Sequence, residues 1–233
     1  ASCGTMIFGS NENAQLPPAS LTKMVTAMVA LDRARPADLV DINVNGWDLA
    51  AEDGSSIMGI EAGMRLSVQD LIYGMMLVSG NDAAIALADG LGGSQNFVNQ
   101  MNDKVHQLGL QNTRFTNPDG RDAAGLYSSA LDMALIGRAL LQYPLLNTAV
   151  NTKTYQPAWD KGPLSNVNEM IWVYPDAVGI KIGYTEAADL TIVTGMQRNG
   201  RLLIAAVLGA QHFYADAYHL LVWALDNTKP ACP

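Results

Sequence analysis

The sequence predicts an α+β fold in which an antiparallel sheet, built from both chain ends and packed with helices, flanks an all-helical lobe. Strand-like stretches near the two ends, with a helix-rich centre between them, carry this prediction. So does a segment from Ser20 to about Arg33 that is apolar on nearly every side, the pattern of a helix buried in the middle of a domain.

In chain order, Thr5 to Phe8 is a short strand candidate, followed by a polar turn through Asn13. Pro17-Pro18 then stops what precedes it and delivers the chain to Ser20. Beyond Ser20, the residues Leu21, Met24, Val25, Met28 and Leu31 recur at helical spacing, with alanines filling the remaining faces. The stretch from about Ser67 to Leu141 is largely helical. Ser67 with Asp70, and Ser129 with Asp132, resemble capping boxes with Asp in place of Glu. Gly80, Gly92-Gly93 and the turn Thr116-Asn117-Pro118-Asp119-Gly120 punctuate it. After Pro157 the pattern changes. Leu190 to Gln197 and Leu202 to Gly209 are β-rich, joined by a hairpin turn at Arg198-Asn199-Gly200. Phe213 to Asp226 closes the chain as an amphipathic helix. The expected organisation is a single domain, with a sheet lobe over about 1–30 and 155–233 and a helical lobe over about 31–154.

With 233 residues, 49% of them apolar, the chain can bury a sizeable core. Its apolar runs break well before the roughly 18 residues a membrane helix needs. Ala1 to Phe8 has neither the basic region nor the long apolar stretch of a signal peptide, which leaves the compartment open. A net charge of −8 without any basic run argues against nucleic acid as a partner. There is no CxxC pair. His212 and His219 share a helix face but have no third ligand, and His106 stands apart, so surface or satisfied histidines are expected rather than a metal site.

Three short motifs carry chemistry. Ser20-Leu21-Thr22-Lys23 is an S-x-x-K at the start of the buried helix. Residues i and i+3 share a helix face, so the Lys23 amine reaches the Ser20 hydroxyl. Desolvation lowers a lysine's pKa until it accepts a proton from serine. The helix N-terminus adds positive potential where an oxyanion forms. Alone, an S-x-x-K is common enough to arise by chance. Ser79-Gly80-Asn81, at a helix-to-helix turn, supplies a hydroxyl for proton relay and an amide to hold substrate and orient Lys23. Alone it reads first as a plain helix cap with glycine. Lys181-Ile182-Gly183, on a strand candidate ahead of the hairpin, offers a cation and a glycine that lets another backbone approach. That pair suits a substrate carboxylate; alone it reads as an exposed strand lysine.

Together and in this order, the motifs resemble the penicillin-recognising serine enzymes, with their S-x-x-K, S-D-N and K-T-G signatures. Pro17-Pro18-Ala19-Ser20-Leu21-Thr22-Lys23-Met24 is similar to the low-molecular-weight D-alanyl-D-alanine carboxypeptidases. So are Ser79-Gly80-Asn81-Asp82-Ala83-Ala84, the segment from Thr113 to Gly120, and Gly179-Ile180-Lys181-Ile182-Gly183-Tyr184-Thr185. The resemblance covers essentially the whole chain and implies a β-lactamase/transpeptidase-like fold. It implies an acyl-enzyme mechanism on peptidoglycan stem peptides ending in D-Ala-D-Ala, with β-lactams acylating the same serine. Ser20 would be the nucleophile and Lys23 the base, with Ser79 and Asn81 assisting. Lys181 would bind the terminal carboxylate, with Ile182, Gly183 and Tyr184 lining the substrate strand. The main-chain N–H groups of Ser20 and Tyr184 would form the oxyanion hole. No cofactor or metal is implied. The resemblance also implies an extracytoplasmic site of action, with membrane contact only through a segment outside this chain.

Two features depart from the family pattern. Ile182 stands where Thr is common, and the chain begins at what would be the turn of the first hairpin, so an opening strand is expected to be absent. The chain also stops after its last helix, which reads as the catalytic domain alone. Two alternatives remain open: a class A-like β-lactamase, for which Glu169 and Glu186 are the glutamates between Asn81 and the hairpin, and a low-turnover penicillin-binding sensor. An extracytoplasmic enzyme permits a disulfide between Cys3 and Cys232, closing a loop worth up to roughly 5 kcal/mol. Two unpaired thiols, or a lipid-bearing Cys3, are the other options.

Overall fold

The computed structural model describes residues 4–159 and 162–229. Cys3 and Cys232, and with them the expected disulfide, lie outside the described residues.

A 3-10 turn, Ala19–Thr22, runs directly into helix α1, Lys23–Arg33. Every α1 residue from Lys23 to Ala30 is buried, as its all-round apolar pattern predicts. Around α1 pack α3 (Val68–Leu77), α4 (Asn81–Gly90), α5 (Ser94–Gln107) and α6 (Ala130–Leu140). Both expected caps are present: Ser67 and Ser129 accept from the N–H groups of Asp70 and Asp132. The short strands β1 (Leu39–Asp41) and β2 (Arg65–Ser67) pair antiparallel beside these helices. Between them lies α2, Gly46–Asp53, capped by Asn45. Next come α7 (Pro144–Asn151), the β3 (Thr154–Tyr155) and β4 (Leu164–Ser165) pair, and α8 (Met170–Val173).

The main sheet is an antiparallel meander of β5 (Ala177–Thr185), β6 (Asp189–Arg198) and β7 (Arg201–Ala210). Asn199 and Gly200 both have positive φ, 53° and 75°, as a two-residue hairpin turn requires. Side-chain alternation divides the sheet between two cores. Ile180 and Val193 face the helical core, whereas Ile192, Met196 and Leu203 face α9, Phe213–Asn227. No helix among the described residues is long and apolar enough to cross a membrane.

The α+β class, with antiparallel sheet and packed helices, is the one observed, but one detail of its expected construction differs. The three strands of the main sheet all come from residues 177–210, and Thr5 to Phe8 is not a strand. Glycines at 4 and 9 bracket this stretch, and Met6 and Phe8 are more than half exposed, so four residues bury too little to hold a ladder. Instead Phe8 meets Trp223 of α9 edge-on, and the N-terminal segment is anchored further along by the Leu16–Ser128 bridge.

Candidate active site

Ser20 lies in the 3-10 turn rather than in the α-helix itself. Three residues per turn eclipse i and i+3, which places Lys23 over Ser20 more directly than α-helical geometry would. Lys23 Nζ is 2.8 Å from Ser20 Oγ. It also donates to Asn81 Oδ1 at 2.7 Å and to the main-chain carbonyl of Asp119 at 2.5 Å.

These three partners determine what a neutral Lys23 does. A neutral amine has two N–H donors and one lone pair. Asn81 Oδ1 and the Asp119 carbonyl are acceptors only, so they take the two donors and the lone pair is left facing Ser20 Oγ. Lys23 is fully buried, and that burial lowers its pKa to about 8. The Asp119 carboxylate opposes this shift, while the Arg121 charge adds to it.

The turn between α3 and α4 presents Ser79 with φ 61°, a strained value for a non-glycine residue. Asp82 locks this region: its buried carboxylate accepts from the N–H groups of Met58, Gly59, Ile60 and Ala83. Asn81 is oriented by its amide, which donates to Ser55 Oγ at 2.8 Å. Lys181 of β5 reaches Ser79 Oγ at 2.9 Å and its other described acceptor is the Ile182 carbonyl. Its pKa is held well below the usual lysine value, first by burial and then by the charge of Lys23. Because Lys181 donates to Ser79, the Ser79 proton is free to point elsewhere.

Gly183 brings β5 against the nucleophile turn. A Cβ at this position would sit 2.7 Å from the main-chain N of Ser20 and 2.8 Å from Thr191 Oγ1, so only glycine permits the approach. Gly120, at φ 86°, serves the same purpose on the opposite wall, where a Cβ would strike the Ala19 carbonyl. Thr26 fastens that wall to α1 by donating to the Pro118 carbonyl at 2.6 Å. Between the walls lies a cleft of about 780 Å³, bordered by Ser20, Ser79, Asn81, Ile182, Gly183 and Tyr184.

The structure therefore brings all eight expected site residues to one place: six border the cleft, and Lys23 and Lys181 lie buried beneath it, bonded to its serines. Ile182 and Tyr184 face away from the side of β5 that carries Lys181 and Gly183, and Ile182 packs toward Phe213 and the α9 core. Thr185 lies on the Lys181 side, and its hydroxyl donates to Asp122 Oδ1 at 2.7 Å. Of the two glutamates, Glu169 immediately precedes α8, whereas Glu186 borders the cleft in the turn after β5. Sequence reasoning assigned no role to the Asp119 carbonyl, Ser55, Asp82 or Arg121. The Asn-Pro-Asp-Gly turn marked Asp119 and the Ser79 to Ala84 segment contained Asp82, whereas nothing marked Ser55 or Arg121.

The family model described as D-alanyl-D-alanine carboxypeptidase matches residues 1–212. The chain is 38% identical over 232 residues to the D-alanyl-D-alanine carboxypeptidase DacA of Escherichia coli K12, covering 94% of this chain and 57% of that protein. It is 35% identical over 218 residues to DacF of Bacillus subtilis, covering 89% of this chain and 54% of that one. The chain thus spans little more than half the length of these relatives. Among solved structures, the Streptomyces K15 DD-transpeptidase superimposes with a TM-score of 0.90 at 27% identity, covering 97% of this chain and 94% of that one. The S-x-x-K, S-G-N and K-I-G side chains converge in a fold shared with these proteins, and the chain belongs to the D-alanyl-D-alanine carboxypeptidase family.

Proposed function

We propose that this chain is the catalytic domain of a serine DD-carboxypeptidase that removes the terminal D-alanine from peptidoglycan stem peptides and is acylated by β-lactams. The observation that carries the proposal is the buried Lys23 amine, 2.8 Å from Ser20 Oγ with both its other partners acceptors.

In the first step Ser20 Oγ attacks the penultimate carbonyl carbon while its proton passes to Lys23 Nζ. The main-chain N–H groups of Ser20 and Tyr184 hold the resulting oxyanion. As the C–N bond breaks, Ser79 gives its proton to the departing D-alanine amine and is reprotonated from Lys181. Bringing the substrate carboxylate beside Lys181 favours that lysine's charged form, so substrate itself loads the proton relay. Lys23 passes the Ser20 proton to the departing amine, which leaves as an ammonium. Neutral again, Lys23 deprotonates the water that hydrolyses the ester and returns that proton to Ser20 Oγ as it departs, while Lys181 regains its proton from solvent. Within this reading the chain is one domain, with sheet and helical lobes meeting at the cleft, and it acts where peptidoglycan is, outside the cytoplasm.

The likeness to a DD-transpeptidase favours a second outcome for the same acyl-enzyme, in which an acceptor amine replaces water. One experiment covers both. A D-Ala-D-Ala-terminated peptide is incubated with the protein, with and without an added amino-acid acceptor, and free D-alanine, shortened peptide and aminolysis product are measured. D-alanine release that stops on Ser20→Ala supports the proposal, and the product ratio apportions the two fates. No release from wild type, with fast hydrolysis of penicillin, would instead assign a β-lactamase.

A further inference from the structure

The strongest polar feature of the cleft that the mechanism above does not use is Arg121. Its Nε donates to Asp119 Oδ2 at 2.7 Å and its Nη1 to Asp53 Oδ2 at 3.0 Å. The Asp119 carboxylate is fully buried, so its charge needs a partner. The second arm leads onward: Asp53 Oδ1 accepts from the Ser55 N–H at 2.9 Å, and Ser55 Oγ accepts from the Asn81 amide at 2.8 Å. Main-chain bonding follows the same route, with the Asn81 N–H donating to the Ser56 carbonyl at 2.8 Å. Arg121 thus ends two chains of bonds that both begin at Lys23. One runs through the Asp119 carbonyl; the other runs through Asn81, Ser55 and Asp53.

We propose that Arg121 is a positioning residue for the reaction assigned above: its guanidinium ties the Asp53–Ser56 loop to the Asp119 turn and so fixes the two acceptors that aim the Lys23 lone pair at Ser20. The inference rests on Lys23 being the base. An exposed ion pair between Arg121 and Asp53 would do little alone. Here the fork joins two walls of the cleft, adding to the Thr26–Pro118 bond that ties one of them to α1. The charged groups facing Lys23 are Asp119 and Arg121 from the turn, Asp82 from α4 and Lys181 from β5. Removing Arg121 leaves the buried Asp119 carboxylate unneutralised beside Lys23, which favours the protonated amine.

The test follows the rate of acylation by benzylpenicillin from pH 6 to 10, by intact mass, in wild type, Arg121→Ala, Arg121→Lys and Asp53→Asn. Arg121→Ala moves the rising, acid-side limb up by about one pH unit, so acylation at pH 7 falls about tenfold while much of the loss is recovered at high pH. Arg121→Lys keeps the charge but not the fork, so its limb stays near the wild-type position and its plateau falls. Asp53→Asn, which keeps Arg121 on Asp119, also lowers the plateau without raising the limb. An Arg121→Ala profile superimposable on wild type would overturn the proposal. If Arg121→Ala does not fold, the other two variants decide: wild-type plateaus in both would overturn it equally. Failure of the underlying reading is distinguishable, because wild type itself would then show no acylation or acylation that does not rise around pH 8.

Discussion

Replacing Ile182 with threonine should improve recognition of the substrate carboxylate. Ile182 borders the cleft one residue from Lys181, and its side chain packs toward Phe213. The nearest candidate to replace a threonine hydroxyl is Thr185, but it cannot do so. It lies on the Lys181 side of the strand, but its proton is already given to Asp122. A hydrogen bond to a charged group is worth about 1.5–3 kcal/mol, so Ile182→Thr should raise kcat/KM on D-Ala-D-Ala peptides by about one to two orders of magnitude. Losing part of a half-buried aliphatic side chain costs about 1 kcal/mol, which lowers Tm by about 2–4 °C in a chain of this size and leaves the enzyme folded. The assay compares D-alanine release from the peptide with hydrolysis of a thioester lacking the terminal carboxylate. The gain should be confined to the peptide. Equal gains on both substrates, or no gain on the peptide, would refute the assignment of this position to the carboxylate.

Acylation of wild type should rise about tenfold between pH 7 and 9, as Lys23 loses its proton around pH 8; a flat profile would contradict Lys23 as base. The same lowered pKa has a stability consequence. The unfolded lysine holds its proton up to about pH 10.5, so wild type should gain up to about 3 kcal/mol relative to Lys23→Met as pH rises from 8 to 10.5, measured by urea denaturation. A loss over that window would contradict the burial argument. Asp82→Ala should cost about 3 kcal/mol or more, since it strands buried N–H groups of Met58, Gly59 and Ile60, and calorimetry should show Tm lower by about 6 °C or more. Gly183→Ala should slow acylation at least tenfold with a smaller effect on Tm, because the added Cβ pushes β5 away from the Ser20 N–H; an unchanged rate would place the oxyanion hole elsewhere.

What the sequence made legible, and what it hid, divides along physical lines. The Ser20–Lys23 pair is local, three residues apart in a buried turn, and spacing alone puts the two groups in contact. The hairpin at Asn199-Gly200 and the caps at Ser67 and Ser129 are equally local, and each formed as expected. The Asp119 carbonyl meets Lys23 across 96 residues of sequence. A main-chain oxygen has no side-chain signature, and only the surrounding turn residues marked the spot. Ser55 and Arg121 were silent for a related reason: each acts through another residue, so their types suggest nothing until the fold brings the loops together. Thr5 to Phe8 failed in the other direction. Its apolar residues suggested a strand, but one aromatic contact to α9 and two bracketing glycines settled it otherwise.

The central claim is that Ser20 becomes acylated because Lys23 takes its proton. Intact-mass measurement after exposure to benzylpenicillin tests it most directly, with peptide mapping to locate the adduct. The account predicts a single adduct of the full penicillin mass on Ser20, absent from Ser20→Ala, a variant that removes one hydroxyl from a turn in which it caps no helix. An adduct that persists in Ser20→Ala, or no adduct on folded wild type, would contradict it.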